Sequence, residues 1–271
     1  MKRMLPPLLL GLALSLTACA SNSPAPTATA TPVPTVSATP SPTPTETAAP
    51  SPTPAAAPVW GIQSDSYVQT AADHPDVTLV EGRFDLPYIE NASGVVAYTA
   101  VNNWYAQLLK DLKSDLQAAV AQAQDDYETA LALGDPFSGS THEADYALMY
   151  QTEDTVSILR THYGHSSGPY PTLIYLADRF DLTTGSYLRF ADFFTDADEA
   201  ERLALAEVIR QGTEHPEYNQ DSVASAFSRE NFYPAAEGFV FFYQPQTLTP
   251  QAATKPEFLV PYSLLEGLLS R

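Results

Sequence analysis

The sequence predicts an α+β fold: a mainly antiparallel sheet with one long amphipathic helix and a second, shorter helix packed on it. Short runs rich in β-branched and aromatic residues cluster along residues 64–86, 146–190 and 232–260, and turn residues separate them. Between the first two clusters, apolar residues recur every three or four positions over residues 101–131, which is the spacing of an amphipathic helix. Strands that cluster with only a few helices between them are typical of α+β proteins.

The first half of this region contains five predicted strands around the long helix. Strands are predicted at residues 64–70, 77–86, 146–151, 155–163 and 172–181. A turn at residues 73–75 joins the first two, and Gly134 ends the helix. After a turn at residues 182–185, a short strand is predicted at residues 187–190.

The second half contains the shorter helix and a hairpin. Asp196 is positioned to cap this helix with Glu199 as the reciprocal partner, and Gly212 is expected just after its end. Strands at residues 232–233 and 239–243 form the hairpin, residues 258–260 form a final strand, and Ser263 caps a closing helical turn.

Charge excludes some functions and favours others. Lys and Arg total 13 against 32 Asp and Glu, so the net charge is −19. Loss of Lys2 and Arg3 with a signal peptide leaves 11 against 32, or −21. Such a surface repels phosphate backbones and excludes nucleic-acid binding, whereas it attracts cationic partners. The single cysteine excludes an internal disulfide and a cysteine-based metal site.

The N-terminus reads as a bacterial lipoprotein signal peptide, residues 1–18. Two positive charges precede an apolar run over residues 5–16, which is too short to span a membrane. The run ends in Leu-Thr-Ala before Cys19, which resembles a lipobox. We expect cleavage before Cys19, acylation of its thiol, and anchoring at the extracytoplasmic face of a Gram-positive cell membrane. The alternative is an ordinary signal peptide with an incidental cysteine.

Residues 19–58 are predicted to be a disordered tether. Residues 20–58 consist mainly of Ala, Thr, Ser, Pro and Val, with eleven prolines and one charged residue, Glu46. Such a composition buries too little apolar area to fold, and spaced prolines favour an extended chain. A segment of this kind holds a folded head, beginning near Val59, away from a membrane.

Four motifs in order resemble the DUF3298 family of bacterial extracytoplasmic domains. They are Phe180-Asp181-Leu182-Thr183-Thr184-Gly185 with Asp192-Phe193-Phe194; Asn231-Phe232-Tyr233; Glu237-Gly238-Phe239-Val240-Phe241; and Val260-Pro261-Tyr262-Ser263-Leu264. Upstream, Leu86-Pro87-Tyr88 followed by the long helix resembles the DUF4163 module that often precedes DUF3298. The resemblance divides the head into a DUF4163-like part, residues 59–160, and a DUF3298-like part, residues 161–271, within one compact body.

The resemblance implies a binding or sensing head rather than an enzyme. The same pair of modules occurs in RsiV-type anti-sigma factors, which sense lysozyme, so it implies a cationic partner of the lysozyme type or peptidoglycan. No cofactor is implied. The expected partner-binding residues lie in two loops, at residues 163–170 and 244–255. They are Tyr163, His165, Tyr170, Gln246 and Gln251, together with Tyr243 just before the second loop.

A catalytic alternative rests on one motif. Residues 164–168 read Gly-His-Ser-Ser-Gly, which fits the G-x-S-x-G nucleophile elbow of serine hydrolases with Ser166 as nucleophile. That elbow needs a helix after the serine, whereas the prolines at positions 169 and 171 favour a loop between strands. A helix starting at Ser167 would favour the hydrolase, and a hairpin loop would favour the binding head.

Metal sites are not expected. His162 and His165 are three residues apart on a strand, which places them on opposite faces. The acidic run at residues 196–199 lacks the central glycine and closing glutamate of a calcium loop, so helix capping explains it better.

Overall fold

The computed structural model describes residues 56–166, 171–250 and 255–271. The first part of the fold is a five-stranded sheet in the order β1-β2-β3-β4-β5. Its strands are β1 (Trp60–Thr70), β2 (Thr78–Ile89), β3 (Ser140–Gln151), β4 (Thr155–His165) and β5 (Thr172–Asp181). All neighbours are antiparallel except β2 and β3. The predicted mixed fold with a mainly antiparallel sheet is confirmed.

The parallel pair exists because a long helix crosses between its strands. Helix α1 (Val96–Leu133) leaves the end of β2 and returns the chain to the start of β3, so Val80 pairs with Ser140 and Phe84 with Ala144. Parallel neighbours need such a crossover connection. Gly134 ends the helix with φ 73°, in the left-handed conformation that glycine adopts at no steric cost, as the sequence predicts.

One face of the sheet is buried under α1. The inward side chains of β2, Val80, Phe84 and Leu86, pack with Val101 and Tyr105 of the helix. The five residues are at most 2% exposed. Alternation along the strands therefore produces one face toward the helix, as the sequence pattern indicates.

A second, three-stranded sheet follows. It contains β6 (Phe232–Pro234), β7 (Gly238–Phe242) and β8 (Glu257–Pro261), all antiparallel, and helix α2 (Ala197–Gly212) contacts β8. Two short helices, α3 (Gln220–Ser225) and α4 (Tyr262–Leu265), complete this part. The shorter helix therefore packs on a sheet of its own and not on the sheet that α1 covers.

The core of the second part is built mainly from phenylalanine. Rings lie edge-to-face or tilted at centroid distances of 4.6 to 6.1 Å between Phe190 and its neighbours Phe194, Phe232 and Phe241. The predicted strand at residues 187–190 is wrong in detail. Tyr187 makes one bridge to Phe180, and a 3₁₀ helix (Phe190–Phe193) turns the two phenylalanines into this core.

Two predicted helix boundaries need correction. Asp196 caps α2 by accepting the backbone N–H of Glu199 at 3.1 Å, as expected, but the Glu199 carboxylate pairs with Arg202 instead of reaching back. Gly212 lies inside the helix, where a Cβ would come within 3.1 Å of Val223. Its role is close packing and not helix termination. Ser263 is also inside α4, which has no side-chain cap.

The head begins earlier than Val59. The Tyr98 hydroxyl donates to the Ala56 carbonyl at 2.8 Å, and the Asn91 amide donates to the Ala57 carbonyl at 2.9 Å. These bonds fasten residues 56 and 57 to the start of α1 and the loop before it.

Candidate functional site

A buried polar network lies on the helix-covered face of β4 and β5. Arg160 and Asp178 occupy inward positions and form an ion pair, with Nη2 to Oδ1 at 3.1 Å. The Tyr105 hydroxyl of α1 donates to Asp178 Oδ2 at 3.0 Å. Arg160 Nη1 lies 2.8 Å from His162 Nε2, and because arginine only donates, His162 accepts with a neutral ring.

Burial sets the proton affinities in this network. Burial opposes the charged form of Arg160, yet the Asp178 carboxylate outweighs it, so the guanidinium pKa is raised. Burial and the positive charge of Arg160 lower the pKa of His162 to about 4. Burial also raises the pKa of Tyr105 well above its ordinary value, and Asp178 adds to the effect. His162 is therefore neutral and Arg160 charged at neutral pH.

An apolar groove opens beside His162, between the middle of α1, the C-terminal end of β4 and the N-terminal end of β5. We call it the histidine groove; it has a volume of about 400 Å³. Its walls include Phe84, Leu112, Leu116, His142, His162 and Ile174. The His142 ring lies above Gly164, where a Cβ would stand 3.7 Å from its Nδ1, and burial lowers its pKa.

A second recess lies at the outer edge of β5. We call it the arginine cleft; its volume is about 360 Å³. Its walls include Trp104, Arg160, Arg179, Tyr187, Arg189 and Asn231. The rings of Trp104 and Tyr187 stack at 5.7 Å with an interplanar angle of 21°, and Arg160 lies 5.5 Å from the Trp104 centroid.

Arg179 connects this cleft to the second part of the fold. Its side chain is 1% exposed, and it donates to the Leu188, Glu230 and Phe232 carbonyls and to the Glu230 carboxylate at 3.1 Å. Its guanidinium also lies 4.2 Å from the Phe232 ring centroid. Burial lowers the pKa of Arg179, while nearby Tyr187 and Glu230 act in the opposite direction.

Side chains close much of the outer edge of β5. The Gln244 amide accepts from Tyr175 N at 2.9 Å and donates to Tyr175 O at 2.8 Å, as a neighbouring strand would. Further along, the Tyr187 hydroxyl donates to Ala177 O at 3.0 Å. An open edge is a site for unwanted pairing, so these contacts protect the strand.

The structure brings the two predicted partner-binding loops to the same strand. Tyr163 pairs with Leu173 of β5, and His165 ends β4 next to the histidine groove. From the second loop, Gln244 binds the backbone of Tyr175, and Lys255 Nζ lies 5.4 Å from the Tyr175 ring centroid. Both loops therefore begin or end beside the first half of β5.

The other predicted contact residues differ in placement. Gln246 is exposed in a turn with φ 65°. Tyr243 is only 2% exposed, and its hydroxyl donates to the Val223 carbonyl, so it is a core residue rather than a surface contact. Tyr170, Gln251 and the lipidation candidate Cys19 lie outside the described residues.

Ser166 is placed between two antiparallel strands. It follows β4 directly, and β5 begins at Thr172, so Gly164 pairs with Thr172. A nucleophile elbow requires a helix after the serine, and residues 167–170, where such a helix would begin, lie outside the described residues.

Two other kinds of feature are absent from the part of the chain that the structure describes. No group of three or more His, Cys, Asp and Glu side chains is arranged to hold a metal ion there. No helix in those residues is both long and apolar enough to cross a bilayer.

A pattern in the sequences of β4 and β5 indicates the buried network. Val156, Ile158, Arg160 and His162 alternate along β4, so a charged residue falls in the inward register of an apolar strand. Asp178 does the same in β5. Two opposite charges at inward positions of successive strands predict a buried pair.

The head is similar in fold to solved structures of DUF3298 proteins. A crystal structure of a DUF3298 member from Bacteroides fragilis superposes with a TM-score of 0.64 at 14% identity, covering 79% of this chain and 94% of that one. A DUF3298 protein from Pseudomonas aeruginosa gives 0.54 at 12% identity, covering 79% and 95%. At these identities the likeness establishes the fold alone.

Sequence comparison agrees. Residues 191–263 match DUF3298, a family described as a protein of unknown function. The immunogenic proteins MPB64 of Mycobacterium bovis and MPT64 of Mycobacterium tuberculosis each share 24% identity over 169 residues, which is 59% of this chain and 73% of theirs. The predicted resemblance to DUF3298 is thus confirmed over residues 191–263. The DUF4163-like assignment of residues 59–160 stays a prediction.

Proposed function

We propose that this protein is a lipid-anchored extracytoplasmic binding protein whose DUF3298-containing head recognises a cationic protein of the lysozyme type. The observation that supports the proposal is the convergence of two loops, one after β4 and one after β7, on the first half of β5. Binding residues commonly lie on loops that a rigid scaffold positions.

The binding surface would combine both loops with the exposed end of β4. Tyr163 and His165 are partly exposed there, and Gln246 is exposed in the second loop. Tyrosine supplies contact area at low entropic cost. The net charge of −19 raises the encounter rate with a basic protein, although exposed charges are screened beyond about 8 Å at physiological salt.

Calorimetry with the full chain and lysozyme at about 0.15 M salt tests this partner. We expect binding tighter than about 1 mM, and the double variant Tyr163→Lys with Gln246→Lys should weaken it about tenfold or more. Tyr88→Lys is the matched control, because Tyr88 is an exposed tyrosine of β2. Equal binding of another basic protein, or of purified peptidoglycan in place of lysozyme, would overturn the assignment.

Anchoring has a separate test. If Cys19 carries the acyl chains, Cys19→Ala abolishes lipid labelling and releases the protein from membranes, because two signals are needed for stable anchoring and the variant has neither chain. Membrane retention of the variant without labelling would contradict the lipobox interpretation.

A further inference from the structure

The arginine cleft carries an inference that is independent of the partner proposed above. We propose that the cleft binds a small carboxylated sugar, with Arg189 holding the carboxylate and the Tyr187 ring supporting the sugar. The cleft lies at the Arg179 end of β5, whereas the two predicted loops lie beside the first half of that strand.

The first argument is charge. Eleven basic residues belong to the described part of the chain, and nine of them form ion pairs there; Lys110 and Arg189 do not. In a chain with 32 acidic residues, an unpaired arginine facing a recess is unusual. The acidic side chains that line the cleft, Asp178 and Glu230, are already paired with Arg160 and Arg179.

The second argument is that the Arg189 guanidinium keeps its hydrogen-bonding capacity for a ligand. Three guanidinium groups face the cleft against two carboxylates, so its walls carry an excess of one positive charge. The nearest other carboxylate in sequence, Asp192, accepts the backbone N–H of Arg189 at 2.7 Å and forms no ion pair with its side chain. A ligand carboxylate matches the planar fork of the Arg189 guanidinium with two parallel bonds.

The third argument is the shape and chemistry of the remaining wall. Tyr187 is 37% exposed although Trp104 stacks on its ring and the Arg179 guanidinium lies 5.7 Å from its ring centroid, and Leu176 adds an apolar surface. Asn231 supplies an amide at the rim that can donate to and accept from hydroxyl groups. A volume of about 360 Å³ lies at the lower end of the range for small-ligand sites. An aromatic face, an amide and an arginine together fit a sugar ring that bears a carboxylate.

Titration of the full chain with glucuronic acid, glucose and acetate, followed by calorimetry or ligand-observed NMR, tests the proposal. We expect glucuronic acid to bind about tenfold more tightly than glucose, which lacks the carboxylate, and than acetate, which lacks the ring. Arg189→Gln should weaken binding of glucuronic acid about tenfold, the effect of losing a charge-assisted pair worth about 1.4 kcal/mol.

Lys110→Gln is the matched control, because it removes the other unpaired positive charge, on the exposed side of α1. It should change the affinity less than about twofold. Absence of glucuronic acid binding at about 10 mM, an unaltered affinity in Arg189→Gln, or an equal loss in Lys110→Gln overturns the site. Equal affinity for glucose overturns the role of Arg189, and equal affinity for acetate overturns the sugar assignment. Lysozyme binding is measured separately, so either proposal can fail alone.

Discussion

The two parts of the head differ in how they build a core. Under α1, the core consists mainly of aliphatic residues with three tyrosines and two phenylalanines, and one buried ion pair lines the arginine cleft. Around β6–β8, seven phenylalanines form a continuous set of ring contacts in a much smaller sheet. Aromatic rings bury a large area per residue, so a small sheet with short helices still obtains a core.

The part of the chain that matches a known family is also not the part that contains most of the candidate ligand surfaces. The family match covers residues 191–263, which is the phenylalanine-rich part, while the histidine groove is built entirely from residues 84–174. Most of the arginine cleft also lies before residue 191. The match therefore identifies how this part of the chain packs, and the candidate ligand surfaces must be inferred from the other part.

The largest expected effect comes from the phenylalanine core. Phe239 is 1% exposed and contacts the rings of Phe193, Phe194 and Phe232, so Phe239→Ala should destabilise the protein by about 3 to 5 kcal/mol. Urea unfolding followed by circular dichroism measures it. Leu86→Ala in the other core is the comparison variant, with an expected cost of about 2 to 5 kcal/mol. Two separate transitions in either variant would show that the two parts unfold independently.

The buried network of the first part predicts a dependence on pH. The folded pKa of His162 is lowered from 6.5 to about 4, so the unfolded chain takes up a proton that the folded chain refuses. Stability is complete above pH 6.5 and falls as the pH drops toward 4, by about 1 to 2 kcal/mol after allowance for partial exposure. His162→Gln should flatten the stability profile in this window.

Unfolding midpoints measured between pH 4 and 7 check the His162 prediction. His215→Gln is the control, because His215 lies on the surface next to Glu217. A slope that persists in His162→Gln would assign the effect to other groups. Asp181, whose pKa is lowered by hydrogen bonds from Thr183 and by Arg271 despite partial burial, loses its contribution only at lower pH.

A smaller effect tests the closed edge of β5. Gln244→Ala removes both bonds between the amide and the Tyr175 backbone, with an expected cost of about 1 to 2 kcal/mol. Gln246→Ala, in the same loop but exposed, should cost less than about 0.5 kcal/mol. Chemical denaturation compares the two variants. Equal losses of unfolding free energy in the two variants would mean that the bonds between the Gln244 amide and the Tyr175 backbone do not stabilise the edge of β5.

The smallest effect concerns the boundary of the head. A chain that starts at Ala56 keeps the bonds from Tyr98 and Asn91, whereas one that starts at Val59 loses both. We expect the shorter chain to be less stable by about 1 kcal/mol. Thermal unfolding of the two truncated chains measures the difference. If removal of residues 1–55 itself lowers the midpoint by several degrees, the tether docks on the head.

Local patterns predicted most of the fold. The apolar period of α1 and the strand-forming runs of β4 and β5 depend on nearby residues, and these elements were found as expected. The parallel pairing of β2 with β3 was not predicted, because it depends on where the long helix returns the chain. The hairpin of β6 and β7 was predicted and is confirmed. Its separation from the first sheet and its pairing with β8 were not predicted, because they depend on how distant parts of the chain pack.

The candidate sites were predicted less well. The two loops that meet at β5 were identified from the resemblance, but Tyr243 was taken for a surface residue because a tyrosine after a strand looks the same whether its hydroxyl meets solvent or a buried carbonyl. The arginine cleft was not predicted at all. Trp104 lies in α1, whereas Tyr187 and Arg189 lie in the connection after β5, and only tertiary packing brings them to one recess.

The turn after β5 limits which substitutions this sequence can tolerate. Gly185 has φ 78°, and a Cβ there would lie 2.5 Å from the Ala97 carbonyl oxygen and 2.6 Å from the Ala100 side chain. A larger residue at position 185 meets both a strained backbone and the first turns of α1. Because the Ala97 contact is to a backbone atom, replacing residue 97 would not relieve it, so a substitution at position 185 would survive only with a shift of the whole first part of α1.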